Sequence, residues 1–273
     1  MKLVVSHFNA IGFGGEEDLL TVILLSLEKG NNTFRDKYGY FNLEINDGIE
    51  ILSITHSNNH VTTKPYFKSG TSIPVTLSDN ISTGAAFNCE KRLIAYSIPD
   101  EIPINFDYSY EHEIPKEFDT EEEFQLYLTA FARTLKIFKK PDDFIKKIPV
   151  HPDRRKSFGS NEVSFSPNFY MQGSDGVSAS FGGRVLDTKI ITNTLTGKKV
   201  RWLKVDNILG NLEIVFPEIE INEELLKGYF VVGEFWLIGY IDAFHIREPK
   251  QTESEEQHKK KDKTYDFDVG YIY

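Results

Sequence analysis

The residues best suited to bind a ligand form a short basic and aromatic run in the C-terminal half of the chain. Between Gly182 and Lys204 six side chains are cationic and one is anionic, although the whole chain of 273 residues carries a net charge of −10. Alternation along a strand would place Lys198, Trp202 and Lys204 on one face, with Arg201 adjacent in sequence. An aromatic ring between cations is typical of surfaces on which single-stranded nucleic acid or another planar anion stacks. We therefore predict a ligand-binding surface made of these four residues.

A second interpretation of the same run stays open at this point. Trp202 could instead pack against the N-terminal part of the chain, which would leave the lysines solvated and without a ligand. The two interpretations differ in the exposure of the indole ring. The net charge excludes only a protein that binds nucleic acid non-specifically over its whole surface, because such binding needs an excess of Lys and Arg.

Catalytic and cofactor signatures are missing from the sequence. It contains no Gly-x-Ser-x-Gly elbow, no His-Glu-x-x-His and no phosphate-binding P-loop. The single cysteine, Cys89, excludes an intramolecular disulfide and a cysteine-based zinc site. We therefore predict a binding or adaptor protein without cofactor or metal, and we name no catalytic residue.

Two other functions remain as alternatives. The 41 carboxylates and 7 histidines could supply a hydrolase-like enzyme with a carboxylate or histidine site between domains. An acidic surface would also suit a partner that neutralises another protein. The expected partner is thus a protein or a single-stranded nucleic acid.

Apolar segments are too short to place the chain in a membrane. The run Leu3–Val5 is far shorter than a signal-peptide core. No window approaches the roughly 18 apolar residues of a membrane helix. We predict a cytoplasmic protein that does not bind membranes.

The predicted binding residues lie within a series of strand-like runs. Gly183–Thr192 and Val200–Asp206 are separated by a turn-rich segment, and Asn211–Phe216 alternates apolar and polar residues. In this pattern Leu203 and Val205 would point into a core. A short helix-compatible segment follows, and a long apolar run begins at Tyr229.

This order of elements resembles the oligonucleotide/oligosaccharide-binding (OB) fold, a small five-stranded barrel with a helix between its third and fourth strands. Gly228, at the end of the helix-compatible segment, and Gly233, within the apolar run, suit that fold's fourth strand. The amino-acid sequence of this region is also similar to a C-terminal domain of uncharacterised bacterial proteins, and this similarity implies no function. The fifth strand would either follow a turn at Gly233 or Gly239, or come from the aromatic tail Tyr265–Tyr273.

The sequence of the N-terminal part predicts a mixture of helices and strands. The segment Glu16–Lys29 is predicted to be a helix, because it begins with acidic residues and Gly30 follows its end. Asp47-Gly48 predicts a hairpin between Tyr38–Ile45 and Ile49–Thr55. A second helix is predicted over Thr120–Lys139, because its apolar residues recur at helical spacing and a capping box begins it; these apolar residues are Phe124, Tyr127, Leu128, Phe131, Leu135 and Phe138.

Together these patterns predict an α+β protein with several parts. Residues 1–150 would form a mixed N-terminal domain, and 151–181, rich in Ser, Gly, Asn and Pro, a linker. Residues 182–247 would form the OB-like barrel. Residues 248–273 would be a flexible charged tail ending in an aromatic strand that pairs with this molecule or with another.

Overall fold

A computed structural model of the chain describes residues 7–35, 38–55, 61–79, 82–83, 91–108, 110, 114, 118–145, 168–218 and 227–242. Within these ranges there are three helices, and only the second is longer than five residues. They are α1 (His7–Ala10), α2 (Glu16–Lys29) and α3 (Pro141–Ile145). Helix α2 confirms the predicted segment, because its bounds are those that the acidic first turn and Gly30 indicated.

Four strands form an antiparallel sheet in chain order near the N-terminus. The turn at Asp47-Gly48 has φ angles of 45° and 89°, the left-handed conformation that a tight hairpin requires. The predicted hairpin is therefore confirmed, and α2 packs against its two strands. The strands are β1 (Asn31–Arg35), β2 (Tyr38–Asn46), β3 (Ile49–Thr55) and β4 (Val61–Phe67).

The remaining ten strands belong to one large sheet of mixed direction. They are β5 (Ser72–Leu77), β6 (Ser82–Thr83), β7 (Lys91–Ser97), β8 (Pro103–Tyr108), β9 (Phe124–Phe138), β10 (Tyr170–Gln172), β11 (Ser178–Thr192), β12 (Lys199–Asn207), β13 (Gly210–Pro217) and β14 (Phe230–Ile241).

Five strands of the large sheet close on themselves to form a barrel. The hydrogen-bonded order is β11, β12, β13, β9, β14 and back to β11. The β13–β9 pair is parallel and the other four pairs are antiparallel. Leu203 and Val205 are fully buried, as the alternation on β12 predicted. Strand β9 thus completes the barrel between β13 and β14.

The predicted helix over Thr120–Lys139 is wrong, because most of this segment is strand β9. Phe124, Leu126 and Leu128 are buried at every second position, which is the period of a strand. From Leu128 to Ala132 every residue is buried, because β9 lies in the middle of the sheet and is covered on both faces. Apolar residues on both faces satisfy helical spacing as well, which made the sequence pattern ambiguous.

The predicted α+β class is also wrong, since the described residues contain fourteen strands and only three helices. The division into residues 1–150, 151–181 and 182–247 stays a prediction. Strand β9, from the first of these ranges, pairs with β13 and β14 of the third. Residues 146–167 and 243–273 lie outside the described residues, and with them most of the predicted linker and the whole tail.

Candidate functional site

Trp202 lies on the outer side of the barrel, half-buried, with its ring held from two directions. Its indole Nε1–H donates a hydrogen bond to Glu213 Oε2 at 2.7 Å. Lys189 is its cross-strand partner on β11, and the Lys189 Nζ lies 5.0 Å from the centre of the indole ring. An ammonium group at this distance is attracted by the π-electrons of the ring. The edge of the ring is therefore fixed, and a cation lies over one of its faces.

Lys204 occupies the next outward position on β12, two residues from Trp202. It lies opposite Asp187 on β11 and opposite Glu213 on β13. Asp187 is paired with Lys227 at 3.0 Å. Within the described ranges Lys189 and Lys204 have no ion-pair partner. We call the group Lys189, Trp202 and Lys204 the Trp202 surface.

The other two predicted binding residues are engaged elsewhere. Lys198 Nζ lies 2.5 Å from Asp18 Oδ2, at the start of helix α2. Arg201 makes a two-point ion pair with Glu218, with N–O distances of 2.6 and 2.5 Å. The structure thus brings Trp202 and Lys204 together and adds Lys189, which only the strand register identifies.

The turn between β11 and β12 holds the N-terminal segment in place. The side chain of Asn193 is fully buried, and its Nδ2 donates to the Ile11 carbonyl at 2.9 Å. Thr196 Oγ1 donates to the Gly12 carbonyl at 2.8 Å. A Cβ on Gly12, whose φ is 89°, would lie 3.1 Å from the Asn193 Cβ. The outer face of β12 is therefore covered near this turn and reaches solvent near Trp202 and Lys204.

A second group of polar residues lies in a cleft between the four-stranded sheet and the large sheet. The cleft is small and has room for about one water molecule. Its walls are mainly apolar, and no local sequence pattern identifies it, because it combines side chains from five strands and the segment after β8. The polar and aromatic residues that line it include Asn42, Lys64, Tyr66, Asp107, Tyr110 and Trp236.

Asp107 is the most perturbed carboxylate of the cleft. One of its oxygens accepts from Arg92 Nε at 3.1 Å and the other from Trp236 Nε1 at 2.8 Å. Burial raises the pKa of Asp107, although the charges of Lys64 and Arg92 and both hydrogen bonds act in the opposite direction. Both of its oxygens are already engaged by donors.

His7 lies against the indole ring of Trp236, and the centres of the two rings are 3.2 Å apart. Burial, together with the charge of Arg133, lowers the pKa of His7 to about 3. The imidazole is therefore neutral at physiological pH. A neutral histidine and a carboxylate thus contact one tryptophan, and both residue types are among those named in the enzyme alternative.

Tyr66 carries a buried hydroxyl group that has no hydrogen-bond partner in the described part of the chain. Its ring makes edge-to-face contacts with Tyr110 and Tyr240, at 5.5 and 6.0 Å between ring centres. The Tyr110 hydroxyl, in contrast, donates to Glu50 Oε2 at 2.7 Å. Burial raises the pKa of Tyr66 well above its usual value, so its hydroxyl stays protonated.

We expect the two tyrosines to respond to loss of the hydroxyl in opposite directions. Tyr66→Phe should leave stability unchanged or raise it by up to about 1 kcal/mol, because it removes an unpaired buried polar group. Tyr110→Phe should lower stability by about 1–2 kcal/mol, because it leaves the Glu50 carboxylate with one donor fewer. Urea unfolding of both variants measures this difference. If Tyr66→Phe lowered stability as much as Tyr110→Phe, the result would contradict the unpaired state of the Tyr66 hydroxyl.

Comparisons with known proteins add no relative. No protein-family model matches the chain, and no curated protein matches it. In the described ranges, no group of three or more His, Cys, Asp or Glu side chains is placed to hold a metal ion. None of the helices in these ranges is long and apolar enough to span a membrane.

Proposed function

We propose that this protein is a binding module and that its ligand contacts the Trp202 surface. The observation that carries the proposal is the half-buried indole with a lysine over its face and a second lysine two residues away. A flat ring beside unpaired cations suits a ligand that is both planar and anionic. Single-stranded nucleic acid is the ligand class that combines these properties, since its bases stack and its phosphates attract cations.

The charges around the surface support an anionic ligand. Arg184 is exposed on β11 and, within the described residues, has no ion-pair partner either, although Asp206 lies opposite it on β12. Of the two anions on these strands, Asp187 is paired with Lys227 and Asp206 is exposed. A local positive region in a protein of net charge −10 attracts anions at one place and repels them elsewhere.

We also propose that the barrel is a rearranged form of the OB fold that the sequence resembles. Strands β11, β12, β13 and β14 follow one another in the chain as the first four strands of that fold do. Strand β9 takes the fifth position although it precedes them. In the OB fold the face of the second and third strands carries ligands. Trp202 and Lys204 lie on β12, which corresponds to the second strand.

The enzyme alternative has less support from the geometry. Asp107 has the raised pKa of a candidate acid or base, and the cleft beside it contains Lys64 and Tyr66. Both of its oxygens accept hydrogen bonds from protein donors, and the space beside it suits about one water molecule. A carboxylate engaged in this way is typical of a structural ion pair.

Binding of a labelled oligothymidylate of about twelve nucleotides, followed by fluorescence anisotropy, tests the proposal. Trp202→Ala should weaken binding by about 1–3 kcal/mol, the usual contribution of one stacked base. Lys189→Gln and Lys204→Gln should each reduce the slope of log Kd against log salt by about one, because each removes a phosphate contact. Lys91→Gln, on β7 outside the barrel, is the matched control and should change neither the affinity nor the salt slope. Wild-type protein that does not bind, or Trp202→Ala that binds equally well, would contradict the proposal.

A further inference from the structure

Glu213 is a carboxylate buried in the middle of an apolar strand. It is 3% exposed, and its neighbours Leu212, Ile214 and Val215 on β13 are buried apolar residues. Burying a charged carboxylate is costly unless hydrogen bonds and a nearby opposite charge compensate it. The outward position two residues further on, Val215, is filled by an apolar side chain. An acidic residue at Glu213 therefore needs a reason beyond packing.

The two carboxylate oxygens of Glu213 hold different parts of the protein. Oε1 accepts the backbone N–H of Gly70 at 2.9 Å, in the segment after β4. Oε2 accepts the indole N–H of Trp202 at 2.7 Å. Lys204 lies directly opposite on β12. The carboxylate is thus fixed at one oxygen and fixes the tryptophan with the other.

We propose that Glu213 is the positioning residue of the Trp202 surface, a role that rests on the proposed function. Its hydrogen bond prevents the indole from turning about its side-chain torsions. The indole is then held in one orientation, with Lys189 over one face of its ring. A ring ordered before the ligand arrives reduces the entropy that is lost on binding.

The charge of Glu213 has an effect opposite to that of its hydrogen bond. A negative charge beside Lys204 disfavours an anionic ligand. If Glu213 acted only through its charge, Glu213→Leu would bind an oligonucleotide more tightly than the wild type. If Glu213 positions Trp202, the same change weakens binding, because leucine has no acceptor for the indole N–H. The two roles therefore predict opposite signs for one substitution.

The test is the affinity of Glu213→Leu, which has neither the charge nor an acceptor oxygen, for the same labelled oligothymidylate. We expect binding about tenfold weaker than wild type, the effect of losing one hydrogen bond to a charged group. The salt slope should not change, because no phosphate contact is removed. Asp206→Asn, which removes an exposed carboxylate on β12, is the charge-matched control and should bind as well as the wild type or more tightly. Glu213→Leu that binds as tightly as wild type would overturn the proposal.

Trp202→Phe extends the test to a variant that keeps a ring but has no indole N–H. In a Trp202→Phe background, Glu213→Leu should cause no further loss of affinity, because the bond that it breaks is already absent. An additional loss there would overturn the positioning role. If Glu213→Leu does not fold, the positioning role predicts that Trp202→Phe alone shows the tenfold loss, and wild-type affinity in this variant overturns it.

A measurement without ligand separates this inference from the proposed function. In a Trp236→Phe background, Trp202 is the only tryptophan, and its fluorescence anisotropy reports the mobility of its ring. Glu213→Leu, which has no acceptor for the indole N–H, should lower that anisotropy. If wild-type protein does not bind oligothymidylate but the anisotropy falls, the proposed ligand is wrong and the positioning of Trp202 stands. If the anisotropy is unchanged, the positioning role is overturned whatever the protein binds.

Discussion

A fragment of residues 168–242 should be unfolded on its own, although it contains four of the five barrel strands. It lacks β9, so β13 and β14 would each expose an unpaired edge. It also loses the large apolar side chains of β9 that are buried in the whole chain, each worth about 1.5–3 kcal/mol. Their sum is comparable with the about 5–15 kcal/mol that stabilises a typical domain. These side chains are Phe124, Leu126, Leu128, Phe131, Leu135 and Phe138.

Moving β9 to the other end of the fragment should restore folding. In the barrel Ile241, the last residue of β14, pairs with Leu126 near the start of β9. A short linker after residue 242 can therefore lead into residues 118–145, which gives the strands in the order that the OB fold has. Circular dichroism and urea unfolding should show a cooperative transition for the rearranged fragment and none for residues 168–242. Cooperative unfolding of the shorter fragment would contradict the assignment of β9 as the fifth strand.

Asn193→Ala should lower the free energy of unfolding by about 3 kcal/mol, because it leaves several buried polar groups unpaired. Asn193 Nδ2 donates to the Ile11 carbonyl, and Oδ1 accepts the N–H groups of Leu195 and Thr196 at 2.9 and 3.2 Å. The substitution therefore releases the N-terminal segment from the β11–β12 turn and loosens the turn itself.

Thr194→Ala is the matched control in the same turn. Its hydroxyl donates to Asn46 Oδ1 at 3.2 Å, but the contact is exposed to solvent. We expect a change within about 0.5 kcal/mol, as for most surface substitutions. Denaturant unfolding with an unchanged m-value measures both effects. A loss at Asn193 no greater than the loss at Thr194 would mean that the turn does not anchor the N-terminal segment.

Elements with a local signal could be predicted from the sequence. Helix α2 has its own start and stop residues, and the hairpin at Asp47-Gly48 depends on two adjacent residues. Strand β9 could not be predicted, because its apolar residues on both faces fit a helix as well as a strand. Only the pairing of β9 with β13 and β14, which lie up to about a hundred residues later in the chain, decides between a helix and a strand.

The residues of the proposed binding surface could likewise be predicted only in part. Strand alternation correctly placed Trp202 and Lys204 on the side of β12 opposite Leu203. The partners Lys189 and Glu213 depend on register across three strands. Lys198 is ion-paired with Asp18, at the start of a helix far away in sequence. Such long-range pairs have no signature in a single sequence.

The cleft was not predicted at all, for a related reason. Tyr66, Asp107 and Trp236 come from three strands, β4, β8 and β14. None of them belongs to a motif, and each is an ordinary strand residue in its local context. The pairing of β8 with β14 brings Asp107 and Trp236 together, and the packing of the four-stranded sheet on the large sheet adds Tyr66.

The central claim, that a ligand contacts Trp202, is tested most directly by the indole N–H signals in a nitrogen–proton NMR spectrum. The chain has two tryptophans, so two signals are expected, and Trp236→Phe assigns them. Adding oligothymidylate should shift the Trp202 signal in proportion to the bound fraction. The Trp236 signal should stay in place, because its N–H is held by Asp107 in the cleft. A Trp202 signal that does not move at saturating oligothymidylate would contradict the claim.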